Sequence, residues 1–160
     1  MTATAERPLN LTTTPVTVEW PETHYVFIEK VGPFQTNAPQ AWSAMHPLVP
    51  EIAKNNQVTG YMSLYDMENE VYRAGVSIAA EPKELPAGAE YEKFAGGKYA
   101  KFVLTGPFTQ LGPATGRACE LVLEQKLPVR RAFNIENYVD DPRVTPEDQL
   151  RTEILFPVED

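Results

Sequence analysis

The sequence predicts an α+β fold made of a tandem-duplicated β-α-β-β module, and three observations carry that reading. Val31-Gly32-Pro33-Phe34 returns as Thr105-Gly106-Pro107-Phe108, each time after a strand-like run. Pro39 and Ala44 recur as Pro113 and Ala118, at the same 74-residue offset as the glycines. Tyr72-Arg73-Ala74-Gly75-Val76 lines up with Leu150-Arg151-Thr152-Glu153-Ile154 at an offset of 78, so one copy has gained a few loop residues. A unit of this size does not bury its apolar faces alone, so the two copies are expected to pack together. Their seam is a natural place for a ligand cleft.

The elements follow in order. Residues 1–13 are rich in Thr and Ala with little apolar content and are expected to form a flexible tail. Residues 16–18 and 24–31 are rich in Val, Ile, Tyr and Phe and read as strand. Gly32-Pro33 stops the second strand, and Asn37 ahead of Ala38-Pro39 suits a helix N-cap. That helix carries Trp42 and Met45. Pro47 and Pro50 must interrupt or kink it, since each ring removes a donor and clashes with the preceding turn. Residues 61–65 and 71–79 read as two strands joined through the polar run 66–70, a hairpin. Module one thus spans 14–80. A joint over 81–90, with Pro82, Pro86 and Gly88, leads to module two at 91–160, the whole forming one domain over 14–160. In module two, strands are expected at 98–105, 132–138 and 150–158, with a cleaner helix at 113–125. The loop 140–147 is long for a hairpin, and Pro142 and Pro146 give it a defined shape.

Composition narrows the function. At 42% hydrophobic and 22% charged residues the chain is ordinary globular protein. A net charge of −8 and the absence of basic stripes argue against direct nucleic-acid binding, and the same field favours cationic ligands. Cys119 is the single cysteine, which rules out an internal disulfide and a cysteine-based zinc cluster; between Ala118 and Leu121 it suits a helix core face. His24 and His46 are the only histidines and sit in no metal-ligand spacing, so no metal or cofactor is expected. Ser43, Ser63 and Ser77 lack a nucleophile-elbow setting, and Gly96-Gly97 precedes a strand where a phosphate loop needs a helix. No apolar leader or membrane-spanning run is present, which points to a soluble cytoplasmic protein.

Several residues could carry chemistry. On a strand, Ala132, Asn134, Glu136 and Tyr138 share one side, leaving Phe133 and Ile135 to the core beneath a helix. A carboxylate two residues from a tyrosine complements an aromatic cation through charge and ring contact, worth about 0.5–2 kcal/mol. The same spacing also fits a wet face on which Glu136 is a solvated charge. Glu153, in the last strand, reads either as edge protection or as a site residue. Were Glu136 and Glu153 to meet in a dry pocket, one would have a raised pKa and could serve as a general acid. Trp42 has Gly116 as its counterpart, an asymmetry that fits either an open space lined by Trp42 or ordinary core packing. Tyr61 and Tyr65 share a strand face and could extend an aromatic wall, whereas Trp20 reads as a packing residue.

These stretches resemble the GyrI-like family, the effector-binding domain of multidrug-sensing regulators and of stand-alone proteins. The resemblance lies in Gly96-Gly97-Lys98-Tyr99-Ala100 leading to Thr105-Gly106-Pro107, and in Phe133 to Tyr138 with its Glu-x-Tyr. It continues through Asp140-Asp141-Pro142, Thr145-Pro146-Glu147 and the terminal run 150–158, and takes in Gly32-Pro33 and Trp42. It implies two modules related by a pseudo-twofold, with two helices packed on a curved antiparallel sheet. It further implies an aromatic-lined cleft holding a buried glutamate that recognises amphipathic, often cationic, aromatic molecules. Glu136 matches that glutamate; Trp42, Tyr138 and Tyr65 match wall positions. The first dozen residues hold no helix-turn-helix, so this stretch is expected not to read DNA itself.

Three functions compete. The leading one is a small-molecule binder that senses or sequesters a hydrophobic, cationic, drug-like compound, with Glu136, Tyr138, Trp42, Tyr65, Tyr61 and Glu153 as ligand-binding residues. The second, implied by stand-alone members of the family, is hydrolysis of cyclopropane-containing aromatic toxins with Glu136 and Glu153 as acid–base catalysts. The third is docking to a protein partner such as a gyrase through acidic surface residues, with Glu68, Glu70 and Glu159-Asp160 as candidates.

Overall fold

The computed structural model describes residues 8–160. Eight strands form one antiparallel sheet: β1 (Val16–Trp20), β2 (Thr23–Val31), β3 (Val58–Asp66), β4 (Val71–Ile78), β5 (Glu90–Phe94), β6 (Gly97–Thr105), β7 (Asn134–Tyr138) and β8 (Arg151–Pro157). Their spatial order is β1-β6-β8-β7-β3-β4-β2-β5, which reads the same from either end once the modules are exchanged. Helices α1 (Phe34–Met45) and α2 (Val49–Asn55) belong to module one, and α3 (Leu111–Glu124) to module two. The result is the expected α+β fold, two helical segments packed on a curled antiparallel sheet.

The order contains an exchange that the sequence did not announce. Strand β1 pairs with β6 of module two, and β5 pairs with β2 of module one. Each half-sheet is therefore completed by the other module's first strand. Strand β5 was not expected; Tyr91 and Phe94, three positions apart and on opposite faces among Glu90, Glu92 and Lys93, give no period-two pattern, and the run of charges suits an edge strand.

Alternation then sorts the apolar side chains onto two faces. On the helix face, α1 and α2 cover Val26, Ala74, Val76 and Ile78, while α3 covers Phe102, Leu104, Ile154 and Phe156. On the back face Tyr25, Phe27, Met62, Leu64, Phe94, Tyr99, Ile135 and Leu155 form a core drawn from both modules. Arg73 closes part of that face, stacked 4.3 Å from the Phe27 ring and 4.5 Å from the Phe133 ring and paired at 2.9 Å with both Glu29 and Glu92. Gly75 leaves room for the Tyr25 ring, since a Cβ there would lie 2.7 Å from it and 2.4 Å from the Val26 carbonyl oxygen. Through that gap Tyr25 donates a hydrogen bond to the Met62 carbonyl at 2.8 Å.

Several expectations need correction. Asn37 is not the N-cap of α1: the helix starts at Phe34 directly after Pro33. Gly32, at φ +132°, turns the chain sharply enough for Phe34 to pack edge-on against Tyr65 and Tyr72, and that packing sets the start. Pro47 and Pro50 interrupt the helical run, as their chemistry predicts. Each sits in the first turn of a new segment, a 3-10 turn at His46–Leu48 and then α2, where its missing N–H is not needed. Of the expected tail, residues 1–7 lie outside the described residues. Asn10 and Thr12 hydrogen-bond to Thr105 and Val103, and Leu9 and Leu11 pack beneath α3, so this stretch is tied down. No helix among the described residues is long and apolar enough to cross a membrane.

Candidate functional site

Where the two half-sheets meet, β3 and β7 lie between α1 and α3. Their ladder runs from Tyr61 opposite Tyr138 to Tyr65 opposite Asn134, and the central pair is Ser63 opposite Glu136. The pseudo-twofold therefore passes through Ser63 and Glu136. Because Ile135 belongs to the back core, Glu136 and Tyr138 point to the helix side. That inverts the expectation that Phe133 and Ile135 would lie beneath a helix.

The side chains here form one hydrogen-bonded chain. Trp42 Nε1 donates to the Tyr72 hydroxyl at 2.9 Å and to Ser63 Oγ at 3.2 Å. Ser63, fully buried, meets the Tyr72 hydroxyl at 2.7 Å and the Tyr138 hydroxyl at 2.8 Å. Tyr138 donates to Glu136 Oε1. Each hydroxyl has one hydrogen, and an ionised carboxylate only accepts. With Glu136 ionised the sense is thus determined: Trp42 donates to Tyr72, Tyr72 to Ser63, Ser63 to Tyr138, and Tyr138 to Glu136. The rings pack as well, with Trp42 edge-on to Tyr138 at 5.6 Å and stacked on Tyr61 at 6.4 Å, and Phe108 edge-on to Tyr138 at 5.7 Å.

Glu136 keeps partial exposure as a residue, yet the protein packed around its carboxyl group desolvates it and raises its pKa from the ordinary 4.5. The Tyr138 hydrogen bond opposes that rise. Burial likewise pushes the phenols of Tyr65, Tyr72 and Tyr138 up, helped by the Glu136 charge, so all three stay protonated donors at neutral pH.

Not every expected residue joins this site. Glu153 lies opposite Asn137, one position out of phase with Glu136, and so faces the back of the sheet. There it accepts from Asn137 Nδ2 at 2.9 Å and pairs with Lys101 at 3.2 Å. The two glutamates do not share a pocket, and Glu153 is a back-face ion-pair residue. Gly116 is not part of the cleft either. It is exposed, and the open space beside it is solvent. Burial pairs Ala41 and Met45 with Ala114 and Ala118, 73 residues on, so the counterpart of Trp42 is Thr115. The ladders likewise shift the offset of the last strands: Tyr72 sits opposite Tyr65 as Thr152 sits opposite Tyr138, which pairs Arg73, not Gly75, with Glu153.

Three site residues had gone unassigned: Ser63, Tyr72 and Phe108. Ser63 was legible in part, since Tyr61-x-Ser63-x-Tyr65 alternates on one face. Phe108 was half visible as the echo of Phe34. Tyr72 carries no local signal beyond being an aromatic in a strand. Two surface depressions, of about 640 and 360 Å³, lie elsewhere, one beside Leu9, Pro107 and Glu147 and the other on the back face beside Trp20 and Asn137. Around Glu136 the chain's own rings fill the cleft.

A desolvated carboxyl group thus lies on the symmetry axis of a paired β-α-β-β fold, beside a cluster of aromatic rings. The chain belongs to the family of the GyrI-like small molecule binding domain, which it matches over residues 13–159. Among solved structures, the EcmrR C-terminal domain has 19% identity and a TM-score of 0.75, covering 94% of this chain and 98% of that one. SAV2435, solved bound to tetraphenylphosphonium, has 14% identity and a TM-score of 0.68, covering 91% and 93%. A hydrolase from Listeria innocua has 11% identity and a TM-score of 0.60, covering 92% of each chain. At these identities the likeness is one of fold. The sequence matches no curated protein.

Proposed function

We propose that the protein binds amphipathic, aromatic, cationic small molecules in the cleft between α1 and α3, with Glu136 as the electrostatic anchor. The observation that carries this is the desolvated Glu136 carboxyl group set among Trp42, Tyr138, Phe108 and Tyr61. A cation brought to Glu136 relieves the cost of keeping that charge away from water, and the rings receive an apolar body. The solved likeness of SAV2435 to this fold, with its cationic aromatic ligand, supports the same reading. A guest must displace some of the rings that now fill the cleft, with Phe108, 37% exposed, the outermost of them. Titration calorimetry with a cationic aromatic dye tests the proposal. Glu136→Gln is expected to weaken binding about 10- to 100-fold, the span set by losing a charge-assisted contact worth about 1.5–3 kcal/mol. Unchanged affinity would show that Glu136 is not the anchor.

A second reading is hydrolysis of cyclopropane-containing aromatic compounds. It is favoured by the raised pKa of Glu136, which burial shifts in the direction that a general acid needs. It now rests on Glu136 alone, because Glu153 faces the back of the sheet. Mass spectrometry of such compounds after incubation with stoichiometric protein separates the readings. Intact recovery is expected for binding, and a mass gain of one water would establish turnover.

A further inference from the structure

The pseudo-twofold exposes an asymmetry on the back of the sheet, away from the cleft. The ladders make Gly60 the counterpart of Phe133, Arg73 that of Glu153 and Phe27 that of Lys101. At one end the Phe133 ring lies 4.5 Å from the Arg73 guanidinium and covers it. At the other end Glu153 takes the place of Arg73, and Gly60 that of the ring. There the surface opens into the depression of about 360 Å³, whose lining includes Trp20, Thr59, Gly60, Met62, Ser77 and Asn137. The backbone does not call for glycine at 60. Its φ lies outside the left-handed region, and a Cβ would meet only Ser77 Oγ, at 3.2 Å. Glycine inside a strand weakens it and often marks a close approach by a ligand. The β3–β4 ladder also shifts register between Val58 and Gly60, an irregularity of the kind that gathers beside active sites.

The polar groups flanking Gly60 offer an acceptor on one side and a donor on the other. Asn137 of β7 lies diagonal to Gly60, about 7–8 Å away in an antiparallel ladder. Its Nδ2 donates to Glu153 on β8 at 2.9 Å, which leaves Oδ1 for the β3 side, where it accepts no hydrogen bond among the described residues. On the other flank Ser77 stands opposite Gly60 on β4 and shares one hydrogen bond of 2.8 Å with Thr59. That bond uses one hydrogen of the two hydroxyls, so one O–H remains to donate. The nearby carboxylates are already paired, Glu153 with Lys101 at 3.2 Å and Glu22 at the rim with Lys93 at 3.3 Å. We infer that this depression is a second binding site, for an uncharged heteroaromatic ring of purine size that lies over Gly60 beside Trp20. The ring donates to Asn137 Oδ1 from one edge and accepts from the Thr59–Ser77 hydroxyl pair at the other. It fills the place that the Phe133 side chain fills at the opposite end of the sheet, and Trp20 gives it an apolar wall. Asn137 and Ser77 face the back of the sheet and Glu136 faces the helices, so the site is separate from the cleft.

The protein's two tryptophans, Trp20 here and Trp42 in the cleft, give two indole N–H signals that report the two sites separately. Adenine and hypoxanthine are titrated to millimolar concentration into the full chain while nitrogen–proton correlation spectra are recorded. Adenine is expected to shift the Trp20 signal and leave that of Trp42 in place. Gly60→Phe restores the missing ring and is expected to abolish the shift. Its thermal midpoint should stay at or above that of wild type, because the substitution fills open space and removes a strand glycine. Gly60→Val, a smaller change, should weaken binding by at least about tenfold, and Asn137→Ala, which removes the acceptor, by about tenfold. A Trp20 signal that moves with neither base overturns the assignment. So does a shift confined to Trp42, or one that survives both Gly60→Phe and Gly60→Val. Calorimetry with the cationic dye reads Glu136 and the cleft, so either proposal can fail without the other.

Discussion

Glu136 carries a linkage between protonation and folding. Its pKa in the folded chain is raised above the ordinary 4.5, so the folded state holds its proton more tightly than the unfolded chain does. Relative to the fully protonated state, stability is therefore complete below about pH 4.5 and declines as pH rises through the raised value, after which it levels off. Glu136→Gln removes the ionisable group and keeps an acceptor for Tyr138. The variant is expected to be at least as stable as wild type at neutral pH, and to lose the decline above pH 4.5 in urea-denaturation midpoints measured across pH. A variant that keeps the wild-type pH profile would place the titration elsewhere. The carboxylate and its Tyr138 partner were readable from the Glu-x-Tyr spacing. Which face they take was not, because alternation says only that Glu136 and Ile135 oppose each other. Glu153 was misjudged for the same reason: its phase relative to Glu136 is set by the ladder between β7 and β8, not by either strand's own sequence.

The strands set tighter limits than the helices. Gly75 in β4 stands where the Tyr25 ring crosses, and the 2.4 Å approach to the Val26 carbonyl leaves no room for a methyl group. Gly75→Ala is expected to lower stability by about 1–3 kcal/mol, the usual range for overpacking a fitted core, as a fall in thermal midpoint. A change under about 0.5 kcal/mol would mean that the Tyr25 ring moves aside easily. Tyr72→Phe probes the hydrogen-bonded chain. It removes the nearer of the two acceptors of Trp42 Nε1, leaving Ser63 Oγ, and one partner of Ser63. A loss of about 1–3 kcal/mol and a shift in tryptophan emission are the expected result. The helices were legible in kind, but their ends were not. Proline chemistry located the breaks at Pro47 and Pro50, whereas the start at Phe34 came from ring packing against Tyr65 and Tyr72, residues 31 and 38 positions away in sequence.

The exchange of β1 and β5 makes the two modules depend on each other. Cut near residue 85, a first fragment would keep β1 without β6, and a second would keep β5 without β2. Each would also lose half of the back-face core, which draws Tyr25, Phe27, Met62 and Leu64 from one module and Phe94, Tyr99, Ile135 and Leu155 from the other. Separately expressed fragments 8–85 and 86–160 are expected to be unfolded by circular dichroism and to gain structure when mixed. A first fragment that folds cooperatively alone would contradict this interdependence. By itself, the sequence determined the duplication, the order of most elements and the α+β class, because local patterns and the Gly-Pro-Phe echo can be read residue by residue, while Glu136, Trp42 and Tyr138 were singled out by the family resemblance. Only the tertiary structure decided which strands trade places, that Ser63 and Glu136 share the symmetry axis, and that Glu153 faces away. Those facts depend on inter-strand register and on which helix covers which face, and both are settled by contacts between residues far apart in the chain.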